Sequence, residues 1–209
     1  MAFSNTPRFT QKLRHEGFTL LEVMTSLAIG SILLTVAVPA MQDFIIRNRM
    51  STEVNTFVAS LYLARSEAVK RLRIAKVCPT TDYINCTGDT DWEPGWMVFS
   101  DDNNNDHIDA GTDVLVQQNP ALPSRFKITG DPSRPEAQFQ SNGQAGGSNN
   151  TFVFCDTGNV AYTRKVYLSN EGRVRVEKLS TTGCAVSSGG GGSGGGGSGG
   201  GGGSKGGEG

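Results

Sequence analysis

Histidine is almost missing from this chain, which has only His15 and His107 among its 209 residues. The sequence also lacks a recognisable pairing of a serine or cysteine nucleophile with a base, and it lacks a glycine-rich phosphate loop. His107 lies in an acidic, turn-forming stretch, where a solvated loop residue is a better interpretation than a general base. These absences predict a protein that is not an enzyme.

Positive charge is missing from one long region. Between Asp82 and Asp113 there are nine acidic residues and no lysine or arginine, whereas eight basic and five acidic residues lie between Arg125 and Lys178. The net charge of -1 therefore conceals an acidic and a basic region. A basic region can bind polyanions whatever the net charge of the protein.

Charge is also scarce in residues 18–41, an apolar run with Glu22 as its one charged side chain. As a helix the run is long enough to cross a hydrocarbon core of roughly 30 Å. An ionised carboxylate there costs about 2.5–3.5 kcal/mol unless it is paired, so Glu22 needs a partner cation. Basic residues precede the run, which places the N-terminus in the cytoplasm and the rest of the chain across the membrane. Pro39 predicts a kink or local melting of the helix.

Cysteine occurs at four positions, all behind the apolar run: Cys78, Cys86, Cys155 and Cys184. Because this part of the chain would reach an oxidising compartment, we expect two disulfides. Zinc is a weaker alternative, since there is neither a Cys-x-x-Cys pair nor a nearby histidine. Four cysteines allow three pairings, and the sequence does not choose among them. We favour Cys78–Cys86, which closes a short loop, and Cys155–Cys184, which ties the chain end to a strand.

The rest of the chain predicts an α+β head. Residues 43–76 continue the helix as an amphipathic half, with apolar side chains at positions 50, 54, 57, 58, 61, 68 and 72. From Val77 onward the period changes to two, which predicts antiparallel strands at residues 95–100, 114–118, 125–129, 137–140, 151–155, 160–169 and 173–180. We expect residues 42–187 to form one head with a sheet of six to eight strands. Residues 188–209, glycine broken by single serines, are typical of an engineered flexible linker outside the fold.

The junction Gly17-Phe18-Thr19-Leu20-Leu21-Glu22 resembles the type III signal of type IV pilins and type II secretion pseudopilins. The resemblance implies a type IV pilin-like fold, a leader of residues 1–17, and cleavage between Gly17 and Phe18 by a prepilin peptidase that methylates the new amine. It also implies a single-pass inner-membrane protein with its head in the periplasm, later assembled with other pilin subunits into a pilus. The Phe18 amine of a neighbouring subunit would then neutralise Glu22. An ordinary signal-anchor helix is the alternative.

Residues 92–113 resemble the signature of the GspH/FimT branch of that family, a Gly-Trp strand that runs into an Asp/Asn-rich turn. The chain departs from the pattern at Asp106, where the branch often has Gly, and at Thr112-Asp113, where it often has Gly-Glu. Asp101, Asn103 and Asn105 have the spacing of a calcium loop, but Asp106 and Thr112 occupy positions where such a loop needs Gly and Glu. We therefore prefer a solvated hairpin turn and expect neither metal nor cofactor.

A second hairpin is predicted around residues 169–172. Its buried face would carry Val166, Leu168, Val174 and Val176, and its opposite face Lys165, Tyr167, Arg173, Arg175 and Glu177. Guanidinium groups pair with phosphate oxygens in a bidentate fork, and tyrosine can stack or donate a hydrogen bond, so this face suits a nucleic-acid backbone. A plain exposed strand face is the competing interpretation.

Residues 172–175 also resemble the Gly-Arg-x-Arg motif of FimT-like minor pilins, which bind DNA during natural transformation. We therefore predict a minor pilin of a type IV pilus that binds DNA through Arg173, Arg175, Lys165 and Tyr167, with Lys127 as a further candidate. A purely structural minor pilin or type II secretion pseudopilin at a filament tip is one alternative. A calcium-dependent adhesin that uses residues 101–113 is another.

Overall fold

One long helix opens the described part of the chain. The computed structural model describes residues 17–159, 162–179 and 184, and helix α1 spans Leu20–Arg71. The helix continues through Pro39, so the local melting expected there does not occur. Contacts divide the chain after Arg49 into two compact units.

The first unit presents the apolar run as an exposed helix surface. Thr19 caps the helix, because its Oγ1 accepts a hydrogen bond from the Glu22 backbone N–H at 3.2 Å. Phe18 is 81% exposed and Leu33 is 64% exposed. Helix α1 is long and apolar enough to cross a membrane by length and composition, and its apolar stretch is not buried by the described part of the chain.

Helix α1 ends earlier than the sequence predicted. We expected helix to residue 76, but the helix ends at Arg71, and the strand Ala75–Pro79 follows where no strand was predicted. Leu72 has a φ of 56°, and the Arg73 backbone N–H donates to the Ala68 carbonyl at 3.1 Å. A residue with this left-handed backbone conformation ends many helices, and it is usually glycine. Because leucine occupies the position here, the sequence does not indicate the end of the helix.

In the described residues eight strands form two antiparallel sheets, whereas the sequence predicted one sheet. Their bounds are β1 Ala75–Pro79, β2 Trp96–Ser100, β3 Val114–Asn119, β4 Phe126–Thr129, β5 Ala137–Phe139, β6 Asn150–Asp156, β7 Arg164–Leu168 and β8 Val174–Lys178. The first sheet has the order β3-β2-β1-β5 and the second β4-β6-β7-β8. All strands but β1 coincide with predicted segments, of which residues 160–161 and 180 lie outside the described residues.

Both sheets bury their inner faces against the second half of α1. The Phe57 ring lies 5.4 Å from the Trp96 ring of the first sheet and 4.7 Å from the Phe152 ring of the second, in edge-to-face geometry. Most of the predicted apolar stripe is buried from Met50 to Ala68, but Val58 is only half-buried and Leu72 is 75% exposed. The α+β architecture is therefore confirmed, with the second half of the helix packed against both sheets.

Two disulfides crosslink the head. The structure joins Cys78 to Cys86 and Cys155 to Cys184, which is the pairing that the sequence favoured. Cys78 belongs to a small apolar cluster on the outer face of the first sheet with Met97 and Phe99. Cys155 lies in β6, so the second bridge ties the segment beyond β8 to the interior of the second sheet.

Candidate nucleic-acid interface

The hairpin of β7 and β8 divides its side chains between two faces as the sequence predicted. Tyr167 lies opposite Arg175, and Lys165 lies opposite Glu177. Val166 and Leu168 are buried on the other face, but Val176 remains 46% exposed. Among the described strands β8 lies at the edge of its sheet. Val174 is half-buried and residues 175–178 are exposed, so side chains on both faces of β8 are accessible within the described part of the chain.

The turn of this hairpin is bound to helix α1. The Gly172 backbone N–H donates to the Ser169 carbonyl at 2.9 Å, which closes the predicted four-residue turn. The Arg65 guanidinium donates to the Gly172 carbonyl at 3.2 Å. Gly172 has a φ of 74°, and a Cβ there would lie 2.4 Å from the Gly143 carbonyl oxygen, so only glycine fits. The contact by Arg65 was not predicted, since nothing in the sequence separates this arginine from its charged neighbours on the helix.

Tyr167 and Arg175 form a cation–π pair on the outer face of the hairpin. The Arg175 Cζ lies 5.0 Å from the centroid of the Tyr167 ring. Partial burial, together with the charge and hydrogen bond of Glu177, raises the pKa of Tyr167, and the charge of Arg175 opposes this only in part. The tyrosine hydroxyl therefore stays protonated and able to donate at physiological pH.

The two motif arginines are highly exposed. The side chain of Arg173 is 80% exposed and lies 3.9 Å from Glu171, and the side chain of Arg175 is 76% exposed and lies 4.0 Å from Glu177. Such long ion pairs in water contribute little stability, so the arginines are not locked to their carboxylates. A phosphate oxygen can replace either carboxylate at small cost.

Lys127 does not join this cluster. Lys127 and Lys165 share the outer face of the second sheet, but strand β6 lies between their strands, which are therefore about 10 Å apart. The two lysines are also offset by two residues along β6. The Lys127 ammonium lies 3.2 Å from a Glu93 carboxylate oxygen. The structure thus brings together Lys165, Tyr167 and Arg175, with Arg173 next to them at the turn, and leaves Lys127 at the opposite edge.

The residues assigned to processing and assembly lie at the start of α1. Gly17 and Phe18 precede the helix, and Glu22 lies in its first turn. All three are exposed. The cleavage, the methylation and the pairing of Glu22 with a neighbour's amine stay predictions.

A buried lysine underlies the acidic turn, which the sequence did not predict. Lys76 of β1 is 1% exposed, and its ammonium lies 2.9 Å from Asp101, 3.6 Å from Glu136 and in direct contact with Asp106. Asp101 also accepts hydrogen bonds from the Asn105 and Asp106 backbone N–H groups. No sequence signal could have found this lysine, because a buried lysine depends on partners that only the fold supplies.

Burial and charge set the protonation of this cluster. Burial alone would raise the pKa of Asp101, but the hydrogen bond from Lys76 and those from the turn backbone hold it below the usual value. Burial and the neighbouring Asp106 raise the pKa of Glu136 to about 7, against the pull of Lys76. Glu136 is therefore the member of the cluster that titrates near neutral pH.

The turn is arranged unlike a calcium loop. The side-chain amides of Asn103 and Asn105 donate hydrogen bonds to the Asp109 carboxylate. The Asp101 carboxylate pairs with the Lys76 ammonium. A calcium loop instead directs several oxygens at one centre. The described ranges contain no group of three or more histidine, cysteine or acidic side chains placed to hold a metal ion. This geometry favours the hairpin-turn interpretation.

Comparison with protein families identifies the chain. The family model described as type II transport protein GspH matches residues 53–172, more than half of the chain, and the prokaryotic N-terminal methylation motif matches residues 12–38. This chain belongs to the GspH family. The methylation-motif match includes Gly17, Phe18 and Glu22, whereas the GspH match ends just before Arg173. A comparison with curated proteins found no match.

The solved structure of one minor pilin shares the fold of this GspH-family chain. The type IV minor pilin FimU of Pseudomonas aeruginosa is 20% identical, with a TM-score of 0.51 over 68% of this chain and 99% of FimU. The minor pseudopilin EpsH of the Vibrio cholerae type 2 secretion system is 14% identical, with a TM-score of 0.45 over 62% of this chain and 97% of EpsH. The chain has the type IV pilin-like fold.

Proposed function

We propose that this protein is a minor pilin of a type IV pilus that binds DNA through the hairpin β7–β8 and serves DNA uptake in natural transformation. Arg173, Arg175 and Lys165 supply the positive charge, and Tyr167 supplies a hydroxyl donor beside Arg175. The observation that carries the proposal is the shared outer face of Lys165, Tyr167 and Arg175, at an accessible sheet edge.

Charge supports a nucleic-acid ligand over an apolar one. Five basic and two acidic residues lie between Arg164 and Lys178, and the arginines of the motif keep only long, exposed ion pairs. Contacts of guanidinium and ammonium groups with phosphates release counterions and carry no base information. Binding is therefore expected to be independent of sequence and strongly dependent on salt. Lys127 is expected to contribute less than Lys165, because Glu93 holds it at the other edge.

The N-terminal region would deliver the head to the cell surface. Prepilin peptidase cuts between Gly17 and Phe18 and methylates the Phe18 amine, and residues 18–41 hold the protein in the inner membrane until assembly. Glu22 then pairs with the Phe18 amine of a neighbouring subunit, which removes the cost of its charge in an apolar setting. The match to the methylation motif and the exposed apolar helix surface support this role.

The test is a salt series of DNA binding by the full-length chain in a non-ionic detergent. A labelled duplex of mixed sequence is titrated by fluorescence anisotropy between ~50 and ~200 mM salt. Arg173→Ala with Arg175→Ala is expected to weaken binding and to lower the slope of log affinity against log salt by about 2. Lys70→Ala with Arg73→Ala is the matched control, since it also removes two exposed cations, each paired with a carboxylate.

The outcome separates DNA binding from a purely structural role. If the motif variant keeps the affinity and slope of the parent, the hairpin does not bind DNA, and a structural subunit at a filament tip becomes the better assignment. If both double variants lose affinity equally, binding depends on total charge and the hairpin is not the site.

A further inference from the structure

Two cations at the base of the hairpin lie directly opposite each other. Arg164 of β7 pairs in register with Lys178 of β8, on the face opposite to Tyr167. Like charges in direct cross-strand positions destabilise a sheet. On the neighbouring strands, Phe154 lies opposite Arg164 and Ile128 lies opposite Phe154, and both side chains are buried. The two cations therefore extend a row of buried side chains to the edge strand β8.

Neither cation has a carboxylate partner in the described part of the chain. Ion pairs there hold Arg125, Lys127, Arg173 and Arg175, but none involves Arg164 or Lys178. Arg164 donates to the Thr163 carbonyl at 3.1 Å, a neutral acceptor. The neighbouring residues 160–161 and 180–183 contain no acidic residue in the sequence, so they bring no counter-charge. The pair therefore costs stability without compensation from the head itself.

We propose that Arg164 and Lys178 form a second phosphate-binding site at the base of the hairpin, so that a nucleic-acid backbone follows strand β8 from Arg173 to Lys178. This inference rests on the proposed function and extends it beyond the arginine motif. The five residue steps from Arg173 to Lys178 span about 17 Å, a length over which a duplex carries several phosphates. Because β8 is the edge strand, cations on both of its faces reach the same ligand.

Continuity favours nucleic acid over an acidic protein segment as the ligand. Cations occur at Arg173, which directly precedes β8, and at Arg175 and Lys178 within it, first on the outer and then on the inner face. A polyanion with regularly repeated charges can meet all of them, and an Arg–Lys pair suits a phosphate, which accepts several hydrogen bonds at once. The one carboxylate of this strand, Glu177, lies on the outer face, so the inner-face pair meets no competing acid within the strand.

The experiment compares Lys178→Gln and Arg164→Gln with Lys70→Gln in the full-length chain, using the same labelled duplex and salt series. Each hairpin variant is expected to weaken binding by about tenfold at low salt and to lower the salt slope by about 1. Lys70→Gln, which removes an exposed lysine paired with Glu67, is expected to leave both unchanged. The melting temperature of Lys178→Gln is expected to stay equal or to rise, because the substitution relieves the like-charge pair.

The results distinguish this inference from the proposed function. If Arg173→Ala with Arg175→Ala weakens binding while Lys178→Gln and Arg164→Gln retain parental affinity and slope, the second site is rejected and the proposed function stands. If the parent chain does not bind the duplex, both are rejected. A fall in the melting temperature of Lys178→Gln would contradict the claim that the pair is unfavourable to the fold.

Discussion

The Arg65 guanidinium donates a hydrogen bond to the Gly172 carbonyl at 3.2 Å, and this contact joins helix α1 to the turn that begins the basic strand. The Gly143 carbonyl oxygen packs so closely against Gly172 that it leaves no room for a Cβ atom. The helix therefore sets the position of the turn, and with it the position of Arg173.

Gly172→Ala is expected to lower the free energy of unfolding by about 1–3 kcal/mol or more, because alanine is strained at a φ of 74° and its Cβ would overlap the Gly143 carbonyl oxygen. Gly147→Ala is the control, since Gly147 has a φ of 84° but space around the added Cβ. Chemical denaturation followed by circular dichroism measures both. Equal losses would show that the packing against Gly143 has no energetic weight.

Lys76→Met is expected to destabilise the head by about 3–5 kcal/mol, because it leaves the buried Asp101 carboxylate without its cation. Adding Asp101→Asn removes the stranded charge and should restore part of the loss. A double-mutant cycle on the free energy of unfolding measures this coupling. Additive losses would contradict a direct pairing of the two side chains.

The titration of Glu136 predicts a pH dependence of stability. Its folded pKa of about 7 exceeds the ordinary value of 4.5, so the folded protein holds a proton that the unfolded chain has lost between these values. Stability from this group is therefore fully present below about pH 4.5 and falls as the pH rises to about 7. Glu136→Gln should remove that decline. The check is the difference between parent and variant in free energy of unfolding from pH 4 to pH 8, and a flat difference would refute it.

Calcium is expected to leave the melting temperature of the head unchanged. The Lys76 ammonium already neutralises Asp101, and the side chains of Asn103 and Asn105 donate to Asp109 instead of offering oxygens to a cation. A ligand that binds only the folded state would raise the melting temperature. Thermal scans with calcium and with a chelator decide the matter, and a calcium-dependent rise would revive the adhesin interpretation.

The two disulfides are expected to differ in their effect on stability. Cys155–Cys184 joins residues 29 apart and Cys78–Cys86 residues 8 apart, so the first restricts the unfolded chain more. In the chain-entropy account, losing Cys155–Cys184 should cost about 1 kcal/mol more than losing Cys78–Cys86. Paired alanine variants, compared by thermal denaturation, test this. A larger loss for the Cys78–Cys86 variant would show that packing of the bridge outweighs loop length.

Local patterns predicted much of this fold. The period-two alternation located seven of the eight strands, and it set the register of β7 against β8, because a one-residue slip would turn Val166 and Leu168 out of the core. The end of helix α1 was predicted too late in the sequence, because Leu72 has a left-handed backbone conformation that is not expected for leucine.

Features that depend on topology were not predictable. The exposure of Val176 follows from the place of β8 at a sheet edge, and the division of the strands into two sheets follows from their packing around Phe57. The separation of Lys127 from Lys165 likewise depends on β6 lying between their strands. The acidic turn had a visible charge pattern, but its partner, Lys76, lies in the strand that was missed.

The Cys155–Cys184 bridge has a mechanical consequence for the hairpin. Strand β8 is held at its start by the turn that Arg65 binds, and the chain beyond its end is joined covalently to β6 in the sheet interior. The covalent link therefore limits how far a tensile load along the cationic edge can draw the end of β8 away from β6. A filament that drags a long polymer through viscous surroundings would need such an anchored edge.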